Sequence, residues 1–310
     1  MGVSGSDGMV TGRGFAGDYV VEDLSGRWLG QFTLTKDSSA VTPMVVGESS
    51  GGRLSNLSTR GAVGTGSNIM VAGFVIEGST TKDLVIRAVG PRLADFGVPG
   101  ALADPQIAVF RSGETVPMAE VDGWESSLSS IFQTLGAFSL ESDSASAATR
   151  LQLPPGPYTV HVKGVAEGTG VALVEVYDAA ANVPVQMTNL STRGAVGTGA
   201  NIMEAGFVIT GDAPQRVLVR GVGPALADFG VTGALADPVL RLFRSTPSGA
   251  ELLQTNQDWI TATNSAQIAS TASTVGGFAL AAGAGDAALL VDLAPGSYTV
   301  ELSGANDGTG

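Results

Sequence analysis

Few side chains in this sequence can move a proton near neutral pH. Its 310 residues include one histidine, His161, and no cysteine. Histidine is the side chain whose ordinary pKa lies near neutrality. A single copy leaves almost no room for a Ser-His-Asp triad and none for a poly-His metal site. Without cysteine there is no thiol nucleophile, no disulfide and no Cys-ligated zinc or iron–sulfur centre. Carboxylates are the remaining general acid–base set. Asp122 and Glu125 stand close together, but Asp258 and Ile260 flank the matching tryptophan, so this acid pair is not repeated. The expectation is a protein that is not an enzyme.

Three glycine motifs lack the context their chemistry needs. Gly12-Arg-Gly14-Phe-Ala-Gly17 fits the dinucleotide fingerprint, but strand-like DYVVED follows it instead of a helix. Gly47-Glu-Ser49-Ser-Gly51 fits a nucleophile elbow, but RLSNLSTRG follows and the one histidine sits in an expected strand. The GAVGTG loops at 61–66 and 194–199 lack the Lys-Ser/Thr pair of a phosphate loop. Glycine there supplies positive φ in a turn. No cofactor is expected. The only metal to consider is a structural calcium held by loop oxygens such as Asn256, Asp258 and Asp122, although no EF-hand loop is present.

Two arginines and two tryptophans complete the candidates. Arg87 and Arg220 lie inside apolar strands, DLVIRAVGP and RVLVRGVGP. A buried guanidinium requires a carboxylate. The expected structural ion pairs join Arg87 to Asp104 and Arg220 to Asp237, with Asp95 and Asp228 as alternatives. Trp124 and Trp259 follow acidic loops. They are candidate ligand platforms, with a place in the core or a lid as the competing reading.

Charge and composition close off other functions. Asp and Glu number 29 against 16 Lys and Arg, a net charge of −13. Such a chain has no basic footprint for nucleic acid and no polybasic anchor for anionic lipid. No apolar run approaches the ~20 residues of a membrane helix. Met1–Gly8 has neither the basic nor the apolar region of a signal peptide, so an exported form of this chain is expected to start downstream of its signal.

The elements that must position these residues come as a duplicated set. Residues 56–78 and 189–211 differ at three of 23 positions, at an offset of 133. The match continues through RAVGPRLADFGVPGALADP and RGVGPALADFGVTGALADP, then GAFSL and GGFAL, PGPYTV and PGSYTV, and GTG in each copy. The later offset is 140, so the second copy holds seven extra residues between Phe243 and Gly276. The reading is all-β: two tandem antiparallel β-sandwich domains, Ig-like or jelly-roll-like, over 53–182 and 186–310, after an N-terminal β stub and linker over 1–52 left from an upstream domain. After its GTG the first copy runs on as VALVEVYDAA, whereas the second stops at Gly310. The second copy is therefore expected to lack its last strand and to expose a sheet edge.

Short Val-, Ile-, Phe- and Leu-rich runs between Gly, Asp, Asn and Pro clusters give strands over 68–77, 83–89, 106–111, 146–153, 157–163 and 171–177. A short helix or irregular loop is expected over 126–135 and 262–274. Comparing the copies assigns faces: Val71 is matched by Glu204 and Glu77 by Thr210, so that parity faces solvent. Met70, Ala72, Phe74 and Ile76 then face the core. Tyr158 and Tyr298 open strands after Pro-Gly turns, where a tyrosine corner ties its hydroxyl back to backbone.

The run NLSTRGAVGTG … AGFVI … VLVRGVGPALADFGV … DAALLVDLAPGSYTVELSG … GTG resembles repeats of large secreted or surface proteins of Verrucomicrobia-type bacteria, whose modules are Ig-like or pre-peptidase C-terminal-like. The resemblance covers about 53–310. It implies a non-catalytic extracellular module that spaces, displays or adheres, beside neighbouring domains of the same polypeptide and with polysaccharide or other surface proteins as partners. The alternative is a carbohydrate-binding accessory module of a secreted hydrolase.

Overall fold

A computed structural model describes residues 31–36, 52–180 and 186–310, the first of these as backbone only. Its strands are β1 (Gln31–Lys36), then in the first copy β2 (Arg53–Val63), β3 (Met70–Glu77), β4 (Lys82–Val89), β5 (Pro105–Arg111), β6 (Ala119–Val121), β7 (Ala147–Leu153), β8 (Gly156–Gly164) and β9 (Gly170–Asp178). The second copy contributes β10 (Gln186–Arg193), β11 (Met203–Thr210), β12 (Gln215–Val222), β13 (Pro238–Thr246), β14 (Gly249–Asn256), β15 (Ala287–Leu293) and β16 (Gly296–Gly304). Two short helices, α1 (Ser129–Thr134) and α2 (Ser265–Thr274), fill the regions left open between helix and loop. Five of the seven extra residues follow Trp259, where α2 has ten residues against six in α1.

Every ladder between these strands is antiparallel, and the ladders form two rows. One runs β7-β4-β9-β2-β11-β16-β13-β14. The other runs β6-β5-β8-β3-β10-β1-β12-β15. The first strand of each copy thus pairs with the other copy. β2 bonds β11, with Arg60 opposite Glu204, and β10 bonds β3, with Arg193 opposite Val71. One contiguous cluster draws on both rows and both copies, including Leu57, Phe74, Val174, Leu190, Phe207 and Val300. Bridges between β2 and β10 join Leu54 to Met187, and a further bridge joins Ala62 to Ala195. Each bridge links the same position of the two copies.

The edge expected to be bare in the second copy carries β1. β9 lies between β2 and β4, and β1 lies between β10 and β12 in the corresponding register. Val176 faces Leu57 and Ile86, while Leu34 faces Leu190 and Val219.

Side-chain pattern explains which strands go deepest. Met70, Ala72, Phe74 and Ile76 point into the shared core, each at most 2% exposed. The opposite parity is less open than expected. Val71 is buried because Arg193 and His161 flank it on the same sheet face, whereas its counterpart Glu204 is half-buried. β4 and β9 are buried on both faces because α1 and its loops cover the outer one, where Val85, Tyr177 and Phe132 share a second cluster. α2 covers β12 and β15 likewise through Ile268 and Ala272. The tyrosine corners form as expected: Tyr158 Oη donates to the Pro154 carbonyl and Tyr298 Oη to the Ala294 carbonyl, both at 2.7 Å. Residues 61–63, read as the start of the GAVGTG loop, instead end the strand β2. The turn comes later, at Gly66 and Gly199, with φ of 58° and 59°. Among the described residues no helix is long and apolar enough to cross a membrane.

Candidate functional site

The most concentrated chemistry lies under the two helical covers, around the buried arginines. Arg87 projects from the centre of β4 to the outer face of its sheet. Its register partner on β9 is Glu175, and Nε lies 3.1 Å from Glu175 Oε2. The rings of Phe132 and Phe138 each sit 4.6 Å from the guanidinium carbon, and Nη1 donates to the Phe138 carbonyl at 2.9 Å. Tyr177 Oη donates to Glu175 Oε1 at 2.7 Å. Burial pushes the Glu175 carboxyl up, with Arg87 and the Tyr177 hydroxyl opposing that shift. Burial also pushes the Tyr177 phenol up, and the adjacent carboxylate adds to it. The pair is enclosed and matched in charge, which is the arrangement of a structural pair, although among the described residues Arg87 Nε and Nη2 and Glu175 Oε2 make no hydrogen bond.

Asp104 is therefore not the partner of Arg87. Its carbonyl instead accepts from Val165 N at 2.9 Å, closing a turn. Asp95, the alternative, pairs with Arg92 at 2.6 Å on the surface. Sequence reasoning missed Glu175 because VALVEVYD reads as one more apolar strand. The signal was there, since Glu175 is an acid at an otherwise buried parity. It also missed a second buried pair, Lys82 Nζ to Asp178 Oδ2 at 2.7 Å, which locks the two ends of β4 and β9.

The second copy solves the same problem with different residues. Arg220 stacks on Phe278 at 4.3 Å and donates to the Phe278 carbonyl at 2.8 Å. Among the described residues Asp286 is an acid within its electrostatic reach, and it stands where the first copy has Ser146. Asp286 Oδ1 accepts from Gly223 N at 2.9 Å and Ala225 N at 3.3 Å. Burial raises its pKa, against the pull of those two amides and Arg220. Asp237 is engaged elsewhere, accepting from Gln257 Nε2 at 3.0 Å.

The two tryptophans differ in exposure. Trp259 is 7% exposed, packs with Ile268 under α2, and donates its indole N–H to the Ala281 carbonyl at 3.3 Å. Trp124 is half-buried against Phe132, with ring centroids 5.6 Å apart. Both pack with the helical covers, and the burial of Trp259 corrects the ligand-platform expectation for that residue. His161 lies on β8 with its ring 4.6 Å from that of Phe110.

The calcium candidates are used locally. Asn256 ties its turn to β15, accepting from Ala288 N and donating to the Asp258 carbonyl. Asp258 accepts from Ile260 N and caps the turn that carries Trp259. Asp122 and Glu125 are exposed, and Ser127 Oγ donates to Glu125. Among the described residues no three acidic or histidine side chains converge as a metal site. The Gly12–Gly17 and Gly47–Gly51 motifs and Trp28 lie outside the described residues. No protein-family model matches the chain, and no curated protein matches it.

Proposed function

We propose that this chain is a non-catalytic repeat module, a spacer, display or adhesive segment of a larger secreted or surface polypeptide. In this reading each copy is a two-sheet sandwich of Ig-like or jelly-roll-like class, over 53–182 and 186–310. The observation that carries it is the exchange of first strands, β2 onto β11 and β10 onto β3. Beads on a flexible string need no such pairing. A segment that holds its neighbours at a fixed separation does, because backbone ladders and one core then resist bending between copies. Duplication supports the same reading, since tandem copies give avidity without new chemistry.

The two covers supply the test. In a Trp28→Phe background, Trp124 reports on the first copy and Trp259 on the second. The reading expects their denaturant unfolding curves to coincide, and Leu57→Ala in β2 to move both together. Two separate transitions would favour independent beads. The carbohydrate-binding alternative is less favoured, because Trp259 is 7% exposed and Trp124 is half-buried against Phe132.

A further inference from the structure

The channel between β10 and β12 is occupied by a strand that comes from far away in the sequence. In the first copy the equivalent channel is filled by β9, which follows directly from β8. In the second it is filled by β1, which precedes both copies. The match is residue for residue: Phe32, Thr33, Leu34 and Thr35 stand opposite β12 where Val174, Glu175, Val176 and Tyr177 stand opposite β4.

β1 is also shorter than the strand it replaces. Its first paired residue, Gln31, faces Val222, as Leu173 faces Val89. Among the described residues, none takes the places of Val171 and Ala172. An apolar pocket lies there, lined by Val196, Val222, Leu235, Leu302 and Gly310. Their first-copy counterparts Val63, Leu102 and Val162 share the core cluster with Ala172. Gly310 already sits at the mouth, exchanging both backbone hydrogen bonds with Val196, the counterpart of the Val63 that faces Gly170.

We propose that this channel is a strand-acceptor site. It takes an extended segment patterned like Gly170–Asp178, with small and branched apolar residues at alternate positions, as another repeat of this kind would supply. β1 is its internal occupant and, among the described residues, covers the register places of Leu173–Asp178. Backbone groups on both walls supply the affinity, and the pocket supplies the preference for a longer strand than β1. The inference stands on register and cavity, independently of the spacer reading above.

Two experiments on the full chain test it. In the first, the sequence Val171–Asp178 is appended after Gly310 and amide hydrogen exchange is followed. The appended strand should become protected, and residues 32–36 should lose protection at least tenfold. A tail exchanging at free-peptide rates beside a still-protected β1 would overturn the proposal. In the second, a labelled peptide with the sequence Gly170–Asp178 is titrated against the unchanged chain and against Leu34→Pro, whose proline breaks the pairing of a central strand. Saturable binding, at least tenfold tighter to Leu34→Pro and abolished by proline at the peptide's Val174 position, is expected. No binding to either chain, or equal binding of the proline peptide, would refute it. If Leu34→Pro fails to fold, the extended chain decides.

Discussion

The hydroxyls of Thr59 and Thr192 lie 2.7 Å apart in the buried interior, and the two residues are the same position of the two copies. Either can donate, so the contact is self-complementary, as contacts across a two-fold relation are. Neither residue is more than 1% exposed. Removing one hydroxyl strands the other away from water. Thr59→Val is expected to cost about 1–2 kcal/mol. The double variant Thr59→Val/Thr192→Val should cost less than the sum of the singles by about 1 kcal/mol. Denaturant unfolding of the four proteins measures this, and simple additivity would show that the two hydroxyls do not depend on each other.

Arg87 and Glu175 differ from Arg216 and Asp292 in exposure. The first pair is enclosed, while the second, at 2.8 Å, has side chains 46% and 57% exposed. Glu175→Ala leaves a buried guanidinium without its carboxylate and should cost roughly 3–5 kcal/mol. Asp292→Ala should cost at most about 1 kcal/mol, because water and salt already screen that pair. Similar losses at the two sites would mean that the helical cover does not exclude water.

The tyrosine corners offer a smaller, paired effect. Tyr158→Phe and Tyr298→Phe each delete one hydroxyl bond to a carbonyl four residues back, and each should cost about 0.5–1.5 kcal/mol. A loss confined to one copy would show that the corner is redundant in the other.

How much of this was legible in the sequence follows from where the determining contacts lie. Strands such as 83–89 and 171–177, the parity of Met70 to Ile76 and the tyrosine corners are local matters of alternation and turn chemistry, and duplication sharpened them. The partner of Arg87 was not local. Asp104 and Glu175 are both acids at some distance in sequence, and only the pairing of β4 with β9 selects Glu175. The tryptophans were ambiguous for a similar reason: an indole after an acidic turn packs inward or outward according to whether a helix closes over it. The exchange of β2 and β10 left no local signal, since a strand has the same pattern whichever copy it pairs with.

Asp286 and Asp292 stand six residues apart and should titrate on opposite sides of the ordinary value of 3.8. Burial raises Asp286, and the two hydrogen bonds from Arg216 lower Asp292. Above 3.8, folded Asp286 holds its proton where the unfolded chain has lost it, so its contribution to stability falls as pH rises through the raised value. Asp292 has the reverse sign: its contribution is present above 3.8 and is lost as pH falls through the lowered value. Carboxyl titration by NMR should place the Asp286 midpoint above that of Asp292, and Asp286→Asn should remove the high-pH part of the slope. The opposite order of midpoints would contradict the burial of Asp286.

The joining of the two copies by their first strands is the claim on which the rest depends. The chain has no cysteine, so a single introduced pair can test it. Arg60 on β2 and Glu204 on β11 are register partners and form an ion pair across the two copies. Directly opposed residues on antiparallel strands bring their Cβ atoms to about 4.5–5.5 Å, close enough for a disulfide after small adjustment. Arg60→Cys/Glu204→Cys should oxidise to an intramolecular disulfide, seen as a faster-migrating monomer on a non-reducing gel and reversed by reductant. Two free thiols, or disulfides only between molecules, would contradict the pairing of β2 with β11.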